Sequence, residues 1–229
     1  MNLDNVLAEL EDDLNWRANE MRFHRNILLN LATEKEQSVF RKSMVVMLYA
    51  HYEGYSKVAF GIYASEINKL SLTCNDVNSF ISAASLSDLF TALFDTQRKC
   101  DLFRRTLPED TVVHRLARQV ELINVLDDVG KRKVAIPVDF VVDTESNLKP
   151  AILRKILFRL GFPHNAFEQH EGLIEKLLGI RNSVAHGELT SGVGEKLYND
   201  LENATYTILN EVKGMVWNGL KDAKYKKVA

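Results

Sequence analysis

Proline is scarce in this sequence. Its four copies stand at positions 108, 137, 150 and 163, so the first 107 residues carry none. A stretch that long without the residue that breaks helices leaves room for long uninterrupted ones. Cysteine is scarcer still, with Cys74 and Cys100 the only two. They show no metal-ligand spacing and form no disulfide framework, so two free thiols in a reducing compartment are expected. Long apolar runs are missing too. The longest, "MVVMLYA" at 44–50, falls far short of the roughly 20 residues that a membrane-spanning helix needs. The opening "MNLDNVLAELEDDLNWR" is acidic and amphipathic, unlike a secretion signal. A soluble, cytoplasmic protein with no membrane segment is the expectation. Neither charge is in excess. With 29 basic and 31 acidic side chains, binding nucleic acid by bulk charge is excluded, and any phosphate-binding surface must be a local patch.

What the sequence does have is helical periodicity. Leu3, Val6, Leu7, Leu10, Leu14, Met21 and Ile27 to Leu31 recur at helix spacing and predict a first helix of nearly thirty residues. Thr33 and Glu36 then stand at capping-box spacing. They open a long helix whose apolar face runs through Val39, Phe40, Met44, Met47, Leu48, Tyr55, Val58 and Ile62. Shorter helices are expected near 76–95 and 109–129, the second entered through Pro108. The segment 130–147, "GKRKVAIPVDFVVDTESN", loses the helical period and reads as an extended connector or small hairpin, with Pro137 against a central strand. "NLKPAILRKILFRLGF" is helical again up to Gly161, and a long amphipathic helix closes the chain, ending in a frayed basic tail at Lys224–Lys227. Without repeats or a clear linker, the expectation is one all-α domain spanning residues 1–229.

The stretch "LLGIRNSVAHGE" (177–188) raises the functional question. An arginine separated from a histidine by four to six residues occurs three times, from Arg17 to His24, Arg159 to His164 and Arg181 to His186, so spacing alone discriminates little. Context sets the third apart. Leu173, Leu177, Ile180 and Val184 make a stripe that would hold the helix on a core. Residues five apart lie about 140° apart on a straight helix, so Arg181 and His186 face one point only if the helix ends or unwinds between them. Gly187 supplies that ending as a C-terminal cap.

"RNSVAHG" resembles the signature of the HEPN superfamily, helical proteins many of which are ribonucleases. "MLYAHYEGYSKVAF" (47–60), "VDTESNLKPAILRKILFRLGF" (142–162) and "LNWRANEM" (14–21) resemble one bacterial branch of it, so the likeness spans most of the chain. The resemblance implies an HEPN-like helical bundle that cleaves RNA without a metal or other cofactor, through attack of the RNA 2′-hydroxyl on the adjacent phosphate. His186 would then be the general base or acid, Arg181 the phosphate-holding cation, and Asn182 a further hydrogen-bonding group. In-line transesterification needs both a base and an acid, and the family meets that need by pairing two chains, so a homodimer is expected. An antitoxin or another defence protein is the further partner that the family suggests. His51 and Glu53 have two readings: cleft residues beside the motif, with Glu53 anchoring a cation, or a histidine and a carboxylate satisfied inside the core. The basic clusters at 98–105, 131–133 and 154–159 either track RNA or form solvated faces. The rival functional class is a catalytically silent HEPN module that binds RNA or protein.

Overall fold

A computed structural model of the chain describes residues 1–227. Helices α1 (Leu3–Leu29) and α2 (Glu34–Asn68) are joined by a tight turn, and both carry the caps their sequences specify. Asn2 accepts from the amides of Asp4 and Asn5. Thr33 and Glu36 form the full reciprocal capping box. α2 is the axis of the fold. It packs against α1, α8 (Glu171–Ala185) and α9 (Glu195–Lys221), and α9 also touches α1 and α8.

Because three helices surround it, α2 is buried on more than one face. Val45, Tyr49, Tyr52, Ala59, Phe60 and Tyr63 are enclosed along with Met44, Leu48 and Tyr55. The single stripe read from the sequence was too narrow, and two of its members, Val39 and Val58, face outward.

The middle of the chain departs further from expectation. The predicted 76–95 helix is two short ones, α3 (Ser79–Ser85) and α4 (Ser87–Phe94), broken at Leu86, whose backbone (φ −100°, ψ 12°) leaves the helical region. α5 (Thr111–Val129) is entered not through Pro108 but through Asp110, which accepts from the Val112 and Val113 amides. No hairpin forms in 130–147. Pro137 starts a one-turn helix, α6 (Val138–Val141), and the backbone partners of residues 130–134 come from 72–75 instead. α7 (Pro150–Arg159) begins on its proline and stops at Gly161, whose φ of +76° only glycine adopts cheaply. α7 packs on α3 and α8. The basic tail is not frayed up to Lys227: Tyr225 is buried, its carbonyl accepts from Asn78, and the Lys227 amide donates to Asp76.

One close approach makes a stability prediction. At Gly219 in α9, an added Cβ would lie 2.9 Å from ring carbons of both Phe162 and Tyr63. Gly219→Ala should therefore lose about 1–3 kcal/mol by overpacking, read as a lower midpoint in urea unfolding. Gly214→Ala, in open space on the same helix, should be neutral or stabilising.

Candidate functional site

The end of α8 is shaped by backbone hydrogen bonds. Glu188 N–H donates to the Ser183 carbonyl at 2.8 Å and Gly187 N–H to that of Val184 at 3.1 Å. This pair of bonds is a Schellman motif, and it requires the left-handed φ of +71° that Gly187 has. The helix therefore stops at His186, as the glycine suggested. The imidazole is exposed and has no hydrogen-bond partner among the described residues. Ile174 and Leu177 are the fully buried residues that seat the helix; Leu173 and Ile180 are partly buried.

Arg181 sits just over one turn earlier and is half-buried. Its Nη1 donates to the side-chain oxygens of Asn147 at 3.0 Å and of Asn182 at 2.8 Å. Its guanidinium carbon stands 4.8 Å from the centre of the Tyr49 ring, within cation–π range. A guanidinium carries five N–H donors in a planar fork. The two on Nη1 match the two amide oxygens, which leaves the Nε–Nη2 edge for a bidentate ligand such as a phosphate.

Asn147 is the residue that sequence reasoning missed. It ends a four-residue turn from Thr144, closed by Asn147 N–H to the Thr144 carbonyl at 3.0 Å. The two central residues, Glu145 (φ 52°) and Ser146 (φ 62°), are both left-handed. Non-glycine residues pay for that conformation in strain, which concentrates at functional sites. Leu148 N–H then donates to the Tyr49 hydroxyl at 2.7 Å, wholly inside the protein. Burial pushes the Tyr49 phenol up to about 12; the Glu53 carboxylate adds to the rise, and the Leu148 amide and the Arg181 cation oppose it. "YAHYEGY", "TESNL" and "RNSVAHG" thus meet at one point, through Tyr49, Asn147–Leu148 and Arg181–Asn182.

The other candidates fall elsewhere. Asn182 orients the arginine, not the histidine. Glu53, partly buried near Tyr49, forms no ion pair among the described residues, so it does not anchor Arg181 directly. His51 is not beside the motif. It faces α1, edge-on to Trp16 with ring centroids 5.5 Å apart, and its Nε2 lies 3.3 Å from Glu20 without hydrogen-bond alignment. Residues two apart on a helix point about 200° apart, so Tyr49 and His51 serve opposite sides of α2. The basic clusters are mostly engaged within the chain: Arg98 with Glu121, Lys99 with Glu109, Arg104 with Asp101, Lys131 with Asp128, and Arg154 with Glu171. Lys155 pairs with Glu145 at the strained turn. His24 is bonded to the Glu20 carbonyl, and His164 lies exposed beyond α7. Among the described residues, no three His, Cys, Asp or Glu side chains gather as metal ligands, and no helix is long and apolar enough to cross a membrane.

An all-helical fold presenting an arginine and a helix-terminal histidine five positions apart defines the class. The family model described as HEPN_MAE_28990-like HEPN matches residues 6–225, and the chain belongs to that family. No curated protein and no solved structure matches it significantly.

Two measurements probe this geometry. Tyr49→Phe keeps the ring under Arg181 but strands the buried Leu148 amide, and should cost about 1–3 kcal/mol in chemical unfolding. His51 gives a pH signature. Burial holds its pKa below the ordinary 6.5, so below pH 6.5 the unfolded chain takes up a proton that the folded chain refuses. Stability should fall as the pH drops from 6.5 towards the folded-state pKa, and His51→Gln should flatten that part of the curve.

Proposed function

We propose that this HEPN protein is a metal-independent endoribonuclease whose site is built on Arg181 and His186. The observation that carries the reading is the free Nε–Nη2 edge of Arg181, held in place by Asn147, Asn182 and Tyr49 beside a helix end that leaves His186 exposed. In the proposed reaction the 2′-hydroxyl oxygen bonds to the adjacent phosphorus and the P–O5′ bond breaks. An imidazole takes the 2′-hydroxyl proton, and an acid returns one to the departing 5′-oxygen. The products are a 2′,3′-cyclic phosphate and a 5′-hydroxyl. Arg181 binds the non-bridging oxygens and offsets their growing charge. One chain supplies one exposed histidine at the motif, so a homodimer with two facing motifs supplies both base and acid. A role in bacterial defence, or as the toxin of a pair with an antitoxin partner, follows from family likeness alone.

A specific observation favours the second reading, a binding module. Among the described residues no group hydrogen-bonds the ring of His186, whereas catalysis wants a defined tautomer and direction. In the enzyme reading, the second copy supplies that partner.

Purified protein should cut RNA in EDTA, leave cyclic phosphate ends, and spare a site whose 2′-hydroxyl is removed. His186→Ala should lower the rate about 10²- to 10⁴-fold. Arg181→Lys, which keeps charge but not the fork, should fall by a similar factor. His24→Ala and His164→Ala should cut normally. A folded His186→Ala protein that cleaves at the wild-type rate would end the assignment. RNA binding without cleavage in the wild type would put the binding module in front.

A further inference from the structure

Away from the motif, α4, α5 and the loop between them form a two-helix arm. The main packing of α5 is against α4, not against the bundle. α4 has no fully buried residue, and those of α5 are His114 and Arg118, both polar. Polar bonds hold the arm's shape: Arg118 donates to the carbonyls of Leu93 and Arg98 at 3.0 and 2.7 Å, and the Cys100 amide donates to His114 at 3.1 Å. The apolar side chains point the other way. Val112, Leu116, Val120, Ile123 and Leu126 form a stripe on the outer face of α5, between 47% and 65% exposed, and Phe94 of α4 stands 75% exposed beside it. The stripe and the end of α4 line an open apolar groove of about 550 Å³, with Phe94, Leu116, Val120 and Ile123 among its walls. A two-helix unit with a polar inside and an apolar outside lacks a core of its own.

We infer that the outer face of α5 pairs antiparallel with the α5 of a second copy of this chain, turning two arms into a four-helix unit. Three features select this occupant. First, the centre of the stripe is self-complementary: Leu116 and Ile123 lie equally far from the midpoint between Gln119 and Val120. A two-fold axis there sets Leu116 of each copy opposite Ile123 of the other, as an isologous interface requires. Second, Arg115 stands in the N-terminal half of α5 and Asp127 near its C-terminus, neither with an ion-pair partner among the described residues. Antiparallel pairing sets these opposite charges at the same end, together with opposed helix dipoles, whereas parallel pairing would crowd the aspartates. Third, the six exposed side chains offer on the order of 600 Å² per copy before any rim is counted, close to the roughly 800 Å² per partner of a standard interface. This contact is separate from the motif. Tyr49 marks the motif on α2 and Asn68, bonded to Ile136, marks the arm's root; at 1.5 Å per residue they are about 28 Å apart.

The test uses the full chain with Cys74→Ala and Cys100→Ala. Under mild oxidation Val120→Cys, next to the axis, should give a covalent dimer. Leu126→Cys alone should not, because antiparallel pairing sends its two copies to opposite ends, whereas Leu116→Cys with Ile123→Cys should. Leu116→Glu with Ile123→Glu should cut the particle mass about twofold by light scattering, with helicity unchanged in circular dichroism. Absence of the Val120→Cys dimer, self-linking of Leu126→Cys, or an unchanged mass in the double glutamate variant would each overturn the pairing. Should the glutamate variant lose helicity, the cysteine pattern decides. His186→Ala should leave that pattern intact, so failure of the ribonuclease reading and failure of this one are separable.

Discussion

The hydrogen bond from the Leu148 amide to the Tyr49 hydroxyl ties the candidate site to the core. Tyr49 belongs to the helix that three others enclose, so its ring has almost no freedom. A buried amide that found no acceptor would cost about 1–3 kcal/mol, and the phenol oxygen is what meets it. The bond fixes where the chain passes between α6 and α7, and the turn just before it then has one place to be. That placement puts the Asn147 oxygen against Arg181. Remove the anchor, and the guanidinium keeps a neighbour in Asn182 but loses its direction.

Rigidity at the arginine contrasts with freedom at the histidine. The guanidinium is held on one face by a ring and on one edge by two amides, while the imidazole at the helix end has no hydrogen-bond partner among the described residues. Strain is present on the rigid side, in two consecutive left-handed residues that are not glycine. Cross-links to Lys155 and to the Thr144 carbonyl help hold that turn. Glycine is used instead at the helix end, where φ is also positive and the two backbone bonds of the Schellman motif close the turn.

Much of the fold was legible because its signals are local. The capping box at Thr33, the glycine stops at 161 and 187 and the apolar period of the long helices each depend on residues within a turn or two. Arg181 and His186 stood out as candidates through local punctuation and family likeness. Asn147 was not, because nothing in its neighbourhood announces a partner 34 positions away. His51 kept two readings for a related reason: only the packing of α1 decides which flank of α2 it serves. Lys224–Lys227 looked like a loose basic tail because charge is visible in sequence, whereas the slot that receives Tyr225 is formed by distant residues.

The two roots of the arm are stitched together. Cys74 and Asn75 donate to the carbonyls of Arg132 and Gly130, Val134 donates to that of Leu72, and the C-terminal segment clasps the same place through Asn78 and Asp76. Past α3, which packs on α7 with Ile81 in the core, the segment from α4 to Gly130 thus leaves and re-enters the bundle at one place. Closing a chain segment depends only weakly on its length, each doubling adding about 0.6 kcal/mol. The bundle, with Tyr49 and Arg181 inside it, is therefore nearly indifferent to how long the outlying segment is or what it carries. In this architecture, the outward-facing arm can be rebuilt by insertion, deletion or exchange while Tyr49 and Arg181 stay in register.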